Sequence, residues 1–566
     1  MKLISRSLGS LSILLLSSWS LSSLQAATIN VTDPNDAFGG GVCSLRNAIE
    51  SINNGGDFGG CVDSTTDGYG TNDTIALTAQ TYVLSLGTTN EDDNADGDLD
   101  ISATVNIIGA GPDQTTVSGS GFPADEEDRV FHVVELINGS GGFTPSITVN
   151  IEGLTIRDGD GTFNNAAGAG LAIEFSQAAV NLTDVIVTAN ECDCDGGGLY
   201  NNNGVLILNN TLVSANVASS DGGALDNDST AMTVIQNSTL DGNFAPDDGG
   251  AIQNSGGFVL ISNSTISRNS CVEENSPELV IAGGSDFQGD GGGIINISGT
   301  MLLVNSTVSN NEAGFQGGGI FVPSNVNGGG PSFVALFNVT VADNTVLSVD
   351  GFGGGLCHDC TILPGGTTGS EFELTNTLVA SNDAANSPDC GGDYISNGYN
   401  LVGDIEACNG FTATGDQTGV ADAGIGPLQN NGGPTETHAL LEGSPAIDRA
   451  NDVEGCQGPI VQDFINTGGT INLAVLDEDQ RAFLRPVAVL DPALAICDIG
   501  AYEFQVPVPT PTPTPTATAT PTPPFQGFIE GSGCSLNPAA APAAISLWLA
   551  LGLAAGFLGL RKKARD

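Results

Sequence analysis

Between residues 150 and 385 short apolar runs alternate with polar turns on a fixed beat. Three successive stretches read GGGLYNNNGVLILNNTLVSAN from Gly196, DGGALDNDSTAMTVIQNSTLDGN from Asp221 and DDGGAIQNSGGFVLISNSTISRN from Asp247. In each, a glycine pair or triplet leads into an aliphatic residue: Leu199, Leu225 or Ile252. A β-branched run follows, and then an Asn-rich turn. An apolar position recurs at Val187, Val213, Leu240 and Ile266, at intervals of 26, 27 and 26. Looser copies lie at Ile156, Val308, Val341 and Val379. Self-similarity at such a period is the mark of a solenoid, in which each unit buries its apolar face against its neighbours.

The runs are short, rich in Val, Ile, Leu and Thr, and bounded by Gly, Asn, Asp and Ser, which is strand-and-turn chemistry. No unit holds a helical stretch of about 10–12 residues, so helical repeats are excluded. A coil of about 26 residues suits three strands and three turns, and such coils stacked in parallel form a β-helix. Asn216, Asn243, Asn269, Asn311, Asn344 and Asn382 fall at equivalent turns. Asn tolerates left-handed backbone, and stacked Asn side chains hydrogen-bond from layer to layer. These residues are therefore read as architecture, and Ile252 as pointing into the bore. Longer intervals after Ile266 predict surface loops, the largest at 270–290 and another at 322–332; any specific binding is expected there.

The flanks differ. Residues 1–27 have Lys2 and Arg6, an apolar run and a small-residue exit, and read as a secretory signal. Residues 28–73 form an N-terminal cap. Within it CSLRNAIESIN predicts a helix capped by Ser44, with Leu45, Ala48, Ile49 and Ile52 on one face, placed over the exposed end of the first coil. Residues 74–389 carry the coils and 390–505 the last coils and a C-terminal cap. Residues 506–530 are a Pro/Thr-rich linker. Its run PVPTPTPTPTATATPTPP extends roughly 55 Å as polyproline. Residues 531–566 hold Cys534, an apolar stretch at about 539–560 that is long enough to cross a bilayer, and a basic end that stays cytoplasmic.

Charge narrows the partners. The net charge is −52 with 13 basic residues in all. Two of these sit in the leader and four in the tail, so the region between holds only arginines and no lysine. Nucleic acid and polyanionic chains such as polygalacturonate would be repelled. Asp92, Asn94 and Asp96 alternate before Gly97, with Asp98 and Asp100 following, the oxygen spacing of the first half of a calcium loop. The closing Glu is missing, as the twelfth position is Ala103, so calcium competes here with a plain solvated turn. Of the 12 cysteines, spacing favours the pairs Cys43–Cys61, Cys390–Cys408 and Cys456–Cys497. Cys192, Cys194, Cys271, Cys357 and Cys360 remain, and CHDC at 357–360 reads as a local disulfide or free thiols rather than zinc.

Taken together, these motifs resemble the right-handed parallel β-helix superfamily, which includes pectate lyases, polygalacturonases and surface adhesins. The GGAL and GGAI tetrapeptides are similar to repeats of polymorphic outer-membrane proteins. CSLRNAI resembles the CSLREA motif of secreted bacterial β-helix proteins. GIGPLQNNGGPTETHALLEGSPAID, with DEDQRAFLRP and CDIGAYEF, resembles a choice-of-anchor Q domain, apart from an insert before DEDQR and Ala482 where Gly is usual. The tail with Cys534 is similar to Gly-Cys sorting signals cut by a membrane protease. The resemblance implies an all-β, right-handed parallel β-helix with a capping helix and a C-terminal transmembrane helix, exported and anchored at the surface. It implies no reaction. The polygalacturonase GHG and RIK motifs are missing from the sequence, although the chain has a DD pair at Asp247–Asp248. An adhesin or stalk with an unknown protein or glycan ligand is therefore the favoured reading, and a polysaccharide lyase or glycoside hydrolase the alternative.

Overall fold

The computed structural model describes residues 26–65, 67–87, 94–123, 127–134, 147–161, 167–174, 178–272, 289–323, 330–360, 369–451, 456, 478–485 and 496–505. The chain divides into a compact unit, Met1–Val506, and a second unit, Pro507–Asp566, which lies outside the described residues. So do the leader through residue 25, most of the 270–290 and 322–332 loops, Cys534 and the apolar stretch at 539–560. No described helix is long and apolar enough to cross a membrane.

One coil shows the plan. Leu199–Asn202, Val205–Asn209 and Leu212–Ser214 are strands separated by turns of two residues, and a minor strand, Val217–Ala218, closes the coil. Stacked coils make three long sheets. Face I has 11 strands, face II 12 and face III 12, and neighbouring strands within each face run parallel. The fold is an all-β parallel β-helix, of a kind whose parallel crossovers are right-handed as a rule. On face III, Ile156, Val187, Val213, Leu240, Ile266, Val308, Val341 and Val379 are direct partners along one row. The uneven intervals are thus absorbed outside the sheets. One apolar core runs through the bore from Ile29 to Phe411 and includes the fully buried Ile252.

Polar rows brace the turns. Each Asn of the row 190, 216, 243, 269, 311, 344, 382 is buried. The Asn243 carboxamide donates to Asn269 Oδ1 at 2.9 Å and to the Val213 carbonyl at 3.0 Å, and its own oxygen receives Asn216 Nδ2 at 2.9 Å and the Asn216 N–H at 3.1 Å. Every donor and acceptor of the side chain is used. The row ends on the carboxylate of Asp389, which accepts from Asn382 and needs no further partner along the row. These Asn do not take left-handed backbone, contrary to the sequence expectation. The residue just before them does: Ala215, Gly242, Arg268, Asn310, Asp343 and Ser381 have φ between 53° and 65°. That residue turns the chain so that the next side chain points inward. A second amide row, Asn201–Asn227–Asn254–Asn296, stands at the end of face I.

The helix α1, Leu45–Asn54, has Ser44 as its N-cap and Gly55 in left-handed backbone at its C-cap. It packs on Leu99–Ile101, the first strand of face I. Arg46 donates to the carbonyls of Asp96, Gly97 and Asp98 and pairs with Asp36, so the exposed end of the sheet is covered as a solenoid requires.

Beyond the last coils the chain returns along the outside of face III. Outward hydroxyls of that face bind it: Thr265 donates to the Glu436 carbonyl, Thr307 to Gln480 and Ala501 N–H to Thr340. The segments DEDQR and CDIGAYEF hold each other. The Arg481 guanidinium lies 3.5 Å from the Tyr502 ring and 4.5 Å from Phe483, and donates to the Glu503 carbonyl. Ala482 has φ 64°, a conformation that explains why glycine suits this position.

Candidate functional site

The chemistry gathers on the outer side of face I. Strand side chains alternate in and out, and the register stacks the outward residues Asp100, His132, Ala172, Tyr200, Asp226 and Gln253 one above the next. Asp98, Asp128, Arg129 and Glu174 flank the lower end. Asp195, Asp221 and Asp228 flank the upper end.

The lower end is a closed ion network. His132 Nδ1 lies 3.0 Å from Asp100 and its Nε2 3.2 Å from Glu174. Arg129 bonds Asp98 through Nε and lies 3.3 Å from Glu174 through Nη1. Burial and the nearby Arg129 disfavour charge on His132, but Asp100 and Glu174 outweigh them and push its pKa up to about 9. Burial acts to raise Glu174, yet the bond from His132 and the charge of Arg129 bring it below the usual range. Burial pushes Asp98 up to about 6 against the pull of Arg129, and burial with Asp98 nearby takes Asp128 to about 7. Asp98, Asp100 and His132 form a trio whose ligand atoms lie within 4.8 Å of one another. That spacing suits a metal, but positive charge is already supplied here by Arg129 and protonated His132.

The upper end is acidic, and among the described residues no such cation stands in it. Burial, then the charges of Asp195, Asp228 and Asp221, raise Asp226 well above the carboxylate range. Burial brings Asp221 to about 6. The Tyr200 hydroxyl reaches Asp228 at 3.5 Å and accepts from Asn202 at 3.2 Å.

Of the proposed calcium loop, Asp92 lies outside the described residues. The Asn94 N–H donates to Asp100 at 3.0 Å, the Asp96 carbonyl serves Arg46, and the Asp98 and Asp100 carboxylates serve Arg129 and His132. The Oδ1 atoms of Asn94 and Asp98 are unbonded, and of the described loop residues Asp98 and Asp100 gather with His132. Sulfurs are bonded in the pairs Cys43–Cys61, Cys390–Cys408 and Cys456–Cys497, and also Cys192–Cys194 and Cys357–Cys360. Cys271 is free and buried. His438 is buried, hydrogen-bonded to Ser309 and the Gly426 carbonyl at 2.8 and 2.7 Å, and lowered in pKa chiefly by burial, as befits a structural histidine. Arg157 ends a strand and pairs with Asp158, while Arg268 occupies a turn and pairs with Asp241 and Glu436. Sequence reasoning missed Arg129, His132 and Glu174 as a unit.

No family model matches the chain, and no curated protein matches it. Among solved structures, pectate lyase Pel9A aligns with a TM-score of 0.43 at 13% identity, covering 86% of this chain and 98% of that one. The assignment to the parallel β-helix class rests on the strand register described above.

Proposed function

We propose that the protein is an exported, surface-displayed β-helix that acts as an adhesin or stalk, presenting its loops to a protein or glycan ligand. What supports this reading best is the allocation of its buried polar groups: the amide rows are spent on joining coil to coil. The product is a stiff rod, since 12 stacked strands at about 4.8 Å per step span about 50 Å. The Pro/Thr linker and the tail with Cys534 fit a module held away from a membrane, with a sorting protease acting at or near Cys534. Cells expressing the full chain are expected to adhere to immobilised host or matrix glycans and proteins, and cells lacking it are not. Intact mass of the mature protein should show a C-terminus near Gly533 or Cys534, lost in Cys534→Ala. Equal adhesion with and without the chain would remove the adhesin reading.

A glycan-cleaving activity is the second reading, and Asp226 favours it. Asp226, a buried carboxyl whose pKa is raised by burial and by Asp195 and Asp228, is the type of group that serves as the acid in glycoside hydrolysis, with a neutral glycan as substrate because the surface repels uronates. Release of reducing ends from a neutral-glycan panel, abolished by Asp226→Asn, would favour it; no release by the parent protein ends it.

A further inference from the structure

A second row of identical residues runs beside the Asn row, at the turn leading into face I. Asp195, Asp221, Asp248 and Asp290 precede the paired glycines of four successive coils, and Gln316 takes the place in the fifth. The stacking is direct: Gly196, Gly222 and Gly249 donate to the carbonyls of Asp221, Asp248 and Asp290, and Asp221, Asp248 and Asp290 are bridged in sequence. The glycine after each acid has φ between 61° and 71°, and a Cβ on the next glycine, such as Gly250, would collide with the backbone of the following coil. The acids therefore cannot move apart without unstacking the coils.

Their carboxylates lack a cationic partner and are incompletely hydrogen-bonded, although Asp221 has Gln253 and Ser220 as neighbours and Asp248 the Asp290 N–H. Asp290 is fully buried and neither of its carboxylate oxygens is hydrogen-bonded; Asp248, 8% exposed, leaves Oδ1 unbonded, and so does Asp221. Among the described residues no arginine or histidine pairs with this row; the ion pairs of Arg129, Arg157, Arg268 and Arg481 are made elsewhere. Cys271 donates to the Asp247 carbonyl at 3.2 Å, and burial, then Asp248 and Asp290, keep the thiol protonated. The available ligands are oxygens.

We propose that the Asp221–Asp248–Asp290 row binds a hard divalent cation of the calcium type, held between the carboxylates of neighbouring coils as a structural clasp. The coil rise of about 4.8 Å is close to twice a calcium–oxygen distance of about 2.4 Å, whereas magnesium, at about 2.05 Å, fits an arrangement this wide poorly. Such an ion supplies the positive charge that this row, unlike the Asp98–Arg129–His132 network, does not get from the protein.

The test uses the exported chain stripped with chelator and held at pH 7.5 in 0.15 M NaCl, titrated with calcium or magnesium while heat of binding and melting temperature are followed. Saturable calcium binding with a rise in melting temperature is expected, with magnesium at least tenfold weaker. Asp290→Asn should weaken calcium at least tenfold, while Asp92→Ala with Asp96→Ala should leave it unchanged. If Asp290→Asn does not fold, Asp221→Asn gives the same reading from the more exposed end of the row. Absence of calcium binding by the parent at millimolar concentration, or unchanged affinity in a folded row variant, overturns the proposal.

Discussion

The Asn row and the Asp row differ by little more than an amide for a carboxylate, and they behave oppositely. Both recur once per coil; the Asn row is buried throughout, and the Asp row at Asp248 and Asp290. An amide both donates and accepts, so a stack of amides closes on itself, as Asn216, Asn243 and Asn269 do. A carboxylate only accepts, so Asp248 above Asp221 offers oxygen to oxygen. The Asn row is complete within the chain, and the Asp row needs a proton or a cation from outside. A solenoid multiplies whatever its repeat contains, and only self-complementary side chains can be multiplied in the interior without added charge.

The N-terminal network gives the comparison its sharpest edge, because there the chain brings its own cations. Arg129→Met would leave Asp98 and Glu174 without their guanidinium and should cost about 3–5 kcal/mol, the usual cost of breaking a buried pair from one side. Chemical denaturation measures it; a loss under about 1 kcal/mol would mean that the network is not a closed one. The pH dependence has a definite sign. His132, raised to about 9, contributes stability that is full below its unfolded value of about 6.5 and lost as pH rises to 9. The Asp row behaves differently in the absence of divalent ions. Asp221, raised to about 6, begins to lose stability as pH climbs past its unfolded value of about 3.9. A chelated parent should therefore lose stability in two steps on going from pH 4 to 10, and His132→Gln should remove only the upper one.

Gly222→Ala is expected to cost at least about 1–2 kcal/mol, because an alanine must adopt φ 62° at the turn that aligns the Asp row and its Cβ would press on the Leu225 backbone. A melting temperature equal to the parent's would mean that the row is not held by its backbone. Ala482→Gly should do the reverse and stabilise by at most about 1 kcal/mol, relieving the left-handed alanine of the return segment.

Much of the scaffold was legible in the sequence, and the reason is repetition. Inward positions such as Val213 and Leu240 face the same bore in every coil, so they stay apolar and the register survives insertions. The Asn row was visible on the same grounds, although its backbone conformation was assigned one residue late. Asn201, Asn227 and Asn254 stood in the same quoted repeats but went unread, since an amide inside a strand does not announce a turn. The network of Asp98, Arg129, His132 and Glu174 was hidden more deeply. Its members come from three early coils, with partners 31–45 residues apart, where the period is broken and no repeat marks them. Acidic spacing pointed to Asp98 and Asp100, but sequence alone does not place an arginine or a histidine beside them.

The most direct test exchanges the two chemistries. Asn243→Asp and Asp290→Asn are nearly isosteric, and both are compared with the parent by melting temperature at pH 8 in chelator. The account predicts opposite signs: Asn243→Asp lowers the melting temperature sharply, by burying an acceptor where a donor is needed, and Asp290→Asn raises it by removing a buried carboxyl that has neither a cation nor a hydrogen-bonded donor. Shifts of the same sign, or an Asn243→Asp chain as stable as the parent, would contradict it.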